Sequence, residues 1–288
     1  MTVLIYGTIN SFALALMAIG FTLVYGISRL PNFAHGALYV ITGFLVWSLI
    51  NLLKLHYAIA IPLALIIMGL VGAAIYRFVL IRVRGMATSE IIATYALGLA
   101  ILEFLRWGGF KGMTYTLPVF IEGSINIGGI PVDFQRIIVI AIGIVVVTFM
   151  WLFTHFNKIG LALRGMAQDE HAAMMLGIDS DRMAVIAMAM GSMLAGLSAI
   201  ALLPLGNIVV EAGYNVLILS IAVCIVGGLG SWVGAILAAF MIGFLQIITV
   251  AYIESHFQMV VALLAIIITL ILRPSGLFGR QKELEERV

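Results

Sequence analysis

The sequence predicts an all-α integral membrane protein, a bundle of about eight or nine transmembrane helices with broken or re-entrant segments. Three observations predict it. Hydrophobic residues make up 64% of the 288, against about 45–50% in soluble domains. Charged residues make up 10%, against about 25%. Long charge-free runs, enough apolar chain to cross hydrocarbon in a helix of about 20 residues, recur along its length. The same composition excludes disorder, which needs low hydrophobicity and high charge. A net charge of +2 is too small to suggest a nucleic-acid partner. The one cysteine, Cys224, lies in the apolar run 221–226 and reads as a buried, inert thiol.

Taken in order, the charge-free runs cover 1–28, 30–53, 55–76, 137–157, 183–210, 212–253 and 255–272. The first has no basic leader segment, so it reads as a span rather than a cleaved signal peptide. A further apolar stretch, Ile91–Leu102, ends at Glu103 and Arg106. The run 212–253 is twice a span long, and Gly227-Gly228-Leu229-Gly230-Ser231 divides it into two. About nine membrane segments result. Loops on one side hold Arg77, Arg82, Arg84, Lys158, Arg164, Arg182, Arg273, Arg280, Lys282 and Arg287; the other side holds Lys54, Arg106, Lys111 and Arg136. The positive-inside rule makes the first side cytoplasmic, with the tail 273–288. Arg29 falls inside as well, and nine spans put the N-terminus outside.

Three stretches depart from plain membrane helix. Around Pro31-Asn32-Phe33-Ala34-His35-Gly36, Pro31 lacks an N–H and drives Leu30 out of helical dihedrals. Two readings stand: a broken helix beside a translocation path, where irregular backbone is tolerated at membrane depth, or a tight cytoplasmic turn with Asn32 and His35 capping a helix. The second stretch is the cytoplasmic loop 157–182. Asp169 is a good N-cap, Glu170 suits a first turn and Gly177 a C′ position, predicting a two-turn helix over 170–176. That helix would expose Ala172, Ala173, Met175 and Leu176, an apolar patch that asks for a protein partner. Asp179 and Asp181 are placed to cap the next span. The third is the external segment 108–135. There Ile125–Val132 alternates around Gly128-Gly129 and predicts a small β-hairpin, either a lid or a landing site for an extracytoplasmic protein. Small residues at four-residue spacing, Gly230, Gly234 and Ala238 or Ser192 and Gly196, suit close helix packing. The Gly227–Ser231 cluster reads equally as packing, a hinge or a second broken helix, in which case it hints at an internal repeat.

Several signatures are missing from the sequence. No lysine follows a glycine as in a P-loop, and neither a His-Glu-x-x-His nor a Gly-x-Ser-x-Gly motif occurs. Glu103, Arg106, Glu211 and Glu254 fall at predicted span ends rather than inside spans. An internal coupling-ion site is therefore not expected. A nearly neutral path suits an uncharged or zwitterionic solute with apolar character, driven by energy from elsewhere. A passive channel working alone is the alternative from another class.

GFTLVYGISRLPNFAHGAL (20–38), GLALRGMAQDEHAAMMLGID (160–179), VGGLGSWVGAILAAFMIGFL (226–245) and RPSGLFGR (273–280) together resemble the permease subunits of branched-chain amino acid ABC importers. The shorter, LivH-type permease is the nearer match. The resemblance spans the chain and implies the ABC importer permease fold. It also implies a complex with a second related permease, two cytoplasmic ATPases and an extracytoplasmic substrate-binding protein, in a prokaryotic inner membrane. No cofactor is expected on this chain; ATP and Mg would sit on the partner ATPases. Carried over residue by residue, Gly160, Arg164, Asp169, Ala172, Ala173, Gly177 and Ile178 would form the region that meets an ATPase. Pro31, Asn32, Phe33, His35 and Gly36 would form the broken segment beside the pathway, with Gly227, Gly228 and Gly230 as further pathway candidates. Met166 and Met174-Met175 depart from the smaller residues common in that loop. Related permeases for urea, short amides or pentoses share a similar Asn-Phe-Ala-His-Gly segment, so the solute stays open between these and branched-chain amino acids.

Overall fold

The computed structural model describes residues 1–29, 31–110 and 115–279, apart from the side chain of Phe110. Leu30, Lys111 and the tail residues Arg280, Lys282 and Arg287 lie outside the described residues.

Among the described residues, eight helices are long and apolar enough to cross a membrane, and a ninth, shorter one joins them. They are α1 (Thr2–Ser28), α2 (His35–Asn51), α3 (Tyr57–Val83), α4 (Ala87–Gly109), α5 (Phe134–Phe156), α8 (Ser180–Leu202), α9 (Val210–Gly227), α10 (Trp232–Tyr252) and α11 (Gln258–Leu272). The hairpin β1 (Ser124–Ile127) and β2 (Ile130–Asp133) follows α4, and two short helices, α6 (Lys158–Gln168) and α7 (Glu170–Met175), fill the segment between α5 and α8. The division of 212–253 falls at Gly227–Ser231, as its glycines require: Gly228 and Gly230 adopt φ of 103° and 79°, which side-chain-bearing residues avoid. The hairpin turns on Gly128 and Gly129, both at positive φ, with Ile127 paired to Ile130.

Burial sorts the helices into an inner and an outer set. α1 packs against α5, α8, α9 and α10 and forms the hub. α2 packs on α3, α4, α8 and α9, and its residues 34–40 are all buried. A helix apolar all round belongs in a protein core or in lipid, and the first half of α2 is enclosed by protein. α11 lies at the rim with most of its surface outward, as a lipid-facing helix must. Glycine lets the inner helices touch. Gly20 meets the Gly191 carbonyl, Gly72 meets Ser192 and the Met188 carbonyl, and Gly243 meets the Ser11 backbone. The predicted Ser192 contact is thus to α3, while Gly196 faces Thr42 of α2.

Most polar groups inside the bundle are tied down; among the described residues the buried Thr22 Oγ1 is the exception. Asn10 donates to Gln246 Oε1 at 2.9 Å across α1 and α10, and buried Gln135 donates to the Ala201 carbonyl at 3.0 Å. Gln135 also accepts the Phe120 N–H at 3.1 Å, which anchors the long segment after α4. At the same end, Arg106 pairs with Glu103 at 2.8 Å and Glu211 at 3.4 Å. These charges sit at helix ends, where the sequence puts them.

Two sequence expectations need correcting here. Segment 157–182 is not one short helix in a loop; α6 precedes α7. Asn157 Oδ1 caps α6 by accepting the Ile159 N–H at 2.9 Å, and Gly160, Leu163 and Met166 turn its apolar face to the bundle. Asp181 does not cap α8. Asp179 does so by accepting the Arg182 N–H at 3.1 Å, and Asp181 reaches across to Arg84 instead.

Candidate functional site

The chain between α1 and α2 turns back into the bundle. α1 ends at Arg29 with φ 55° and ψ 11°, a left-handed C-cap whose N–H bonds the Tyr25 carbonyl. Asn32 Oδ1 then accepts the Ala34 N–H at 3.0 Å, an Asx turn that starts α2. His35 is the first residue of α2 and does not cap it. Its Nε2 donates to the Met17 carbonyl at 2.9 Å, and its ring stands edge-on to Phe21 with centroids 5.7 Å apart. From Met17 to Ser28 is about 16 Å of helix at 1.5 Å per residue. α2 therefore begins at mid-depth, and residues 31–34 are irregular backbone inside the bundle. Protein surrounds them, which is the condition for such backbone at that depth. Of the two readings of this stretch, the geometry is that of a broken, re-entrant segment. Gly36 allows its passage: a Cβ there would lie 2.8 Å from the Gly213 carbonyl carbon.

A cleft lies on each side of this segment. One is a narrow, partly open cleft lined by Pro31, Asn32, Ser28, Tyr76, Glu90, Thr94 and Met188, with apolar residues between them. Among the described residues, the partner of Asn32 Nδ2 there is the Met188 sulfur, at 3.5 Å. A thioether is a weak acceptor, so the amide keeps donor capacity toward the cleft. Glu90 is the one charged lining residue, and it accepts the Gly85 N–H at 2.8 Å. The other cleft, of about 240 Å³, is lined by Phe33, Gly36, Tyr95, Gly98, Gly213 and Tyr214. Phe33 stands edge-on to Tyr95 across it, with centroids 6.2 Å apart. Residues 31–36 thus form the wall between two hollows.

Segment 157–179 lies at the end of the bundle that also carries Ser28, Arg84 and Arg273. Asp169 Oδ1 caps α7 by accepting the Ala172 N–H at 2.9 Å. That bond, with the Arg29 charge in support, holds its carboxyl below the ordinary range. Gly177 takes φ 83° as the expected C′ residue. The exposed apolar surface is Ala172, Met174, Met175 and Leu176, with Met175 at 89% and Leu176 at 83% exposure. Ala173 departs from expectation: it is buried, on a helix that packs against α6. Gly160 is also buried, against the Phe153 carbonyl, while Arg164 is exposed and Ile178 half-buried.

The glycines after α9 occupy the same end and do not border either cleft. Gly230 touches Gly26 of α1, which also lies near Ala167 of α6. Gly227 meets the Gly234 backbone. Residues 274–279 lie over this turn: Leu277 N–H donates to the Val226 carbonyl at 2.9 Å and Phe278 N–H to the Gly227 carbonyl at 3.0 Å. The turn is a packed joint between two spans, unlike the re-entrant segment at 31–36.

The sequence alone did not single out Arg84. It follows α3, and its guanidinium holds Glu170 of α7 at 2.7 Å together with Ser180 and Asp181 at the start of α8. Ser180 Oγ donates to Glu170 at 2.6 Å, and Tyr76 OH to Asp181 at 3.4 Å. Partners about 90 residues apart leave no local pattern, though an arginine and a glutamate flanking the same loop are a faint signal.

Residues 3–272 match the family described as the branched-chain amino acid transport system permease component. The chain is 28% identical over 281 residues to the high-affinity branched-chain amino acid permease protein BraD of Pseudomonas aeruginosa, covering 92% of this chain and 91% of that protein. It is 28% identical over 283 residues to LivH of Escherichia coli K12, with the same coverage. A probable LivH of Methanocaldococcus jannaschii is 28% identical over 290 residues, covering 94% and 90%. Among solved structures, PsaBC from Streptococcus pneumoniae in complex with Fab superposes with a TM-score of 0.54 at 15% identity, covering 100% of this chain and 96% of that one, a likeness of fold. A bundle of apolar helices with a re-entrant wall and a capped surface helix, matched by the family over nearly its whole length, is a multi-pass membrane protein that belongs to the permease components of branched-chain amino acid ABC transporters.

Proposed function

We propose that this chain forms, with a second related permease, an alternating-access path for branched-chain and other hydrophobic amino acids, driven by two ATPases that dock on residues 158–178. An extracytoplasmic binding protein delivers the solute at the opposite end. ATP and Mg reside on the ATPases. The observation that carries this reading is α7: a helix capped by Asp169, ended by Gly177, and exposing Met175 and Leu176 at the end of the bundle. An exposed apolar tip on an otherwise secured helix has no use in water and fits a protein groove. The basic side chains gather at that end, among the described residues Arg77, Arg82, Arg84, Lys158, Arg164, Arg182 and Arg273 against Lys54, Arg106 and Arg136 at the other. The positive-inside rule then supports a cytoplasmic position for α6, α7 and residue 273 onward, in the inner membrane of a prokaryote.

The two hollows either side of residues 31–36 support alternating access, because a wall that shifts opens one as it closes the other. Asn32 and Glu90 offer an amide and a carboxylate amid apolar side chains on the first side, which suits a zwitterion with an apolar tail. The test is purification of the chain from its native membrane in mild detergent, followed by uptake of labelled leucine, isoleucine and valine into proteoliposomes. Co-purifying ATPases and a second permease, with uptake that needs ATP, support the reading. Uptake of urea, an amide or a pentose instead reassigns the solute. A lone homo-oligomer that conducts without nucleotide overturns it.

A further inference from the structure

We infer that Arg84 is a positioning residue that transmits movement of the ATPase-docking helix to the cleft beside the re-entrant segment. The inference rests on the reading of α7 as a docking helix. Arg84 is where three elements converge. Through Nη2 it holds Glu170 at 2.7 Å, and Glu170 belongs to α7. Through Nη1 it holds Asp181, and it also bonds Ser180, both in the first turn of α8. Its own backbone follows directly on α3, and the next residue, Gly85, donates its N–H to Glu90 of α4 at 2.8 Å.

Of the elements joined there, all but α7 supply a wall of the first cleft: Tyr76 and Leu80 from α3, Glu90 and Thr94 from α4, and Ala184, Ala187 and Met188 from α8. The remaining wall is Val24, Ile27, Ser28, Pro31 and Asn32, from α1 and the turn that follows it. A displacement of α7 that pulls on Glu170 therefore moves three walls against the fourth. Arginine suits this role, since its planar fork bonds several oxygens at fixed angles where lysine offers a single point charge.

The α3 wall is also built to yield. Tyr76–Leu80 is a π-helical turn, a form that is rare and frequent at functional sites. Tyr76 within it donates to Asp181 at 3.4 Å, so the turn joins the same cluster from the cleft side. α3 and α8 are locked beyond it by Gly72 against Ser192. Motion delivered at Arg84 thus has a compliant turn to act on and a fixed point above it.

The test reads the cleft directly, without needing the solute. In a Cys224→Ser background, Thr94→Cys places one thiol in the cleft, and the complex is purified from native membrane through a tag on this chain. Labelling by a small maleimide is timed with and without a non-hydrolysable ATP analogue. Nucleotide is expected to change the rate at least fivefold with Arg84 intact. With Arg84→Gln the change falls below twofold while the ATPases remain bound, and Arg84→Lys falls between. The inference is overturned if Arg84→Gln keeps the full nucleotide response, if it loses the ATPases and so only seats α7, or if the cleft with Arg84 intact ignores nucleotide. Should no ATPase co-purify with the unaltered chain, the docking reading fails, and this inference with it.

Discussion

The approach of α2 to α9 makes Gly36 the most sensitive small-residue position near the re-entrant segment. In Gly36→Ala the new methyl group would lie 2.8 Å from the Gly213 carbonyl carbon and 3.1 Å from Leu217 Cβ, and its closest neighbour is the Gly213 carbonyl oxygen. Real Cβ atoms are not found within 3.0 Å of such neighbours. Relief cannot come from a side-chain rotation, because the obstacle is backbone and α2 is enclosed. Overfilling a packed interior costs about 1–3 kcal/mol, and alanine in place of glycine returns up to about 1 kcal/mol of helix propensity. Because the obstacle is backbone, the cost falls at the upper end, about 2–3 kcal/mol, and the net loss is about 1–2 kcal/mol. At roughly 2–4 °C per kcal/mol for chains of this size, the detergent melting midpoint drops by roughly 2–8 °C. Gly165→Ala is the control. It lies in α6 with nothing within 4 Å of the added carbon, so only the propensity gain applies. Fluorescence-detected size exclusion after heating measures both variants. A Gly36→Ala midpoint at or above that of the parent chain refutes the reasoning, since helix propensity would then outweigh the contact.

Met175→Glu and Leu176→Glu should abolish co-purification of the ATPases with the melting midpoint essentially unchanged, because surface substitutions cost within about 0.5 kcal/mol; Ala173→Glu should lower both, as that side chain is buried. Gly228→Ala forces a side chain into φ 103° and onto the Gly279 backbone, a backbone cost of about 1–2 kcal/mol, seen as faster protease cleavage after residue 272. The Asp169 carboxyl has its folded pKa depressed, first by the Ala172 N–H. Its cap is therefore fully present above the ordinary value of about 3.9 and lost only as pH falls through a lower one. A 13C NMR midpoint for that carboxyl above about 3.9 contradicts the bond.

What the sequence reveals is what local chemistry dictates. Spans follow from hydrophobic length, the α9–α10 division from glycines that alone tolerate positive φ, and the α7 boundaries from Asp169 and Gly177. The helix α6 escapes a reading by composition, since Lys158 and Arg164 make the stretch look like a loop. Its Asn157 cap and the inward spacing of Gly160, Leu163 and Met166 are the signal that could have found it. The inward turn of Ala173 depends on how α7 seats, which no pattern within six residues can encode. Pro31 announces a break, but its depth is set by His35 reaching Met17, a contact between helices. The Arg84 cluster joins positions roughly 90 residues apart and exists only once α3 and α8 are side by side.

The enclosure of α2 also constrains how the chain is made. His35 and Asn32 enter the membrane with α2, yet the helices that cover them, α8 and α9, end at Leu202 and Gly227. At about 5–20 residues per second of synthesis, some 175 residues separate the end of α2 from the end of α9, a delay of roughly 9–35 s. During that interval the nascent segment has only α1, α3 and α4 for company. A chain truncated before residue 180 and released should therefore leave α2 exposed to insertion chaperones and quality-control proteases, and the released full chain should not.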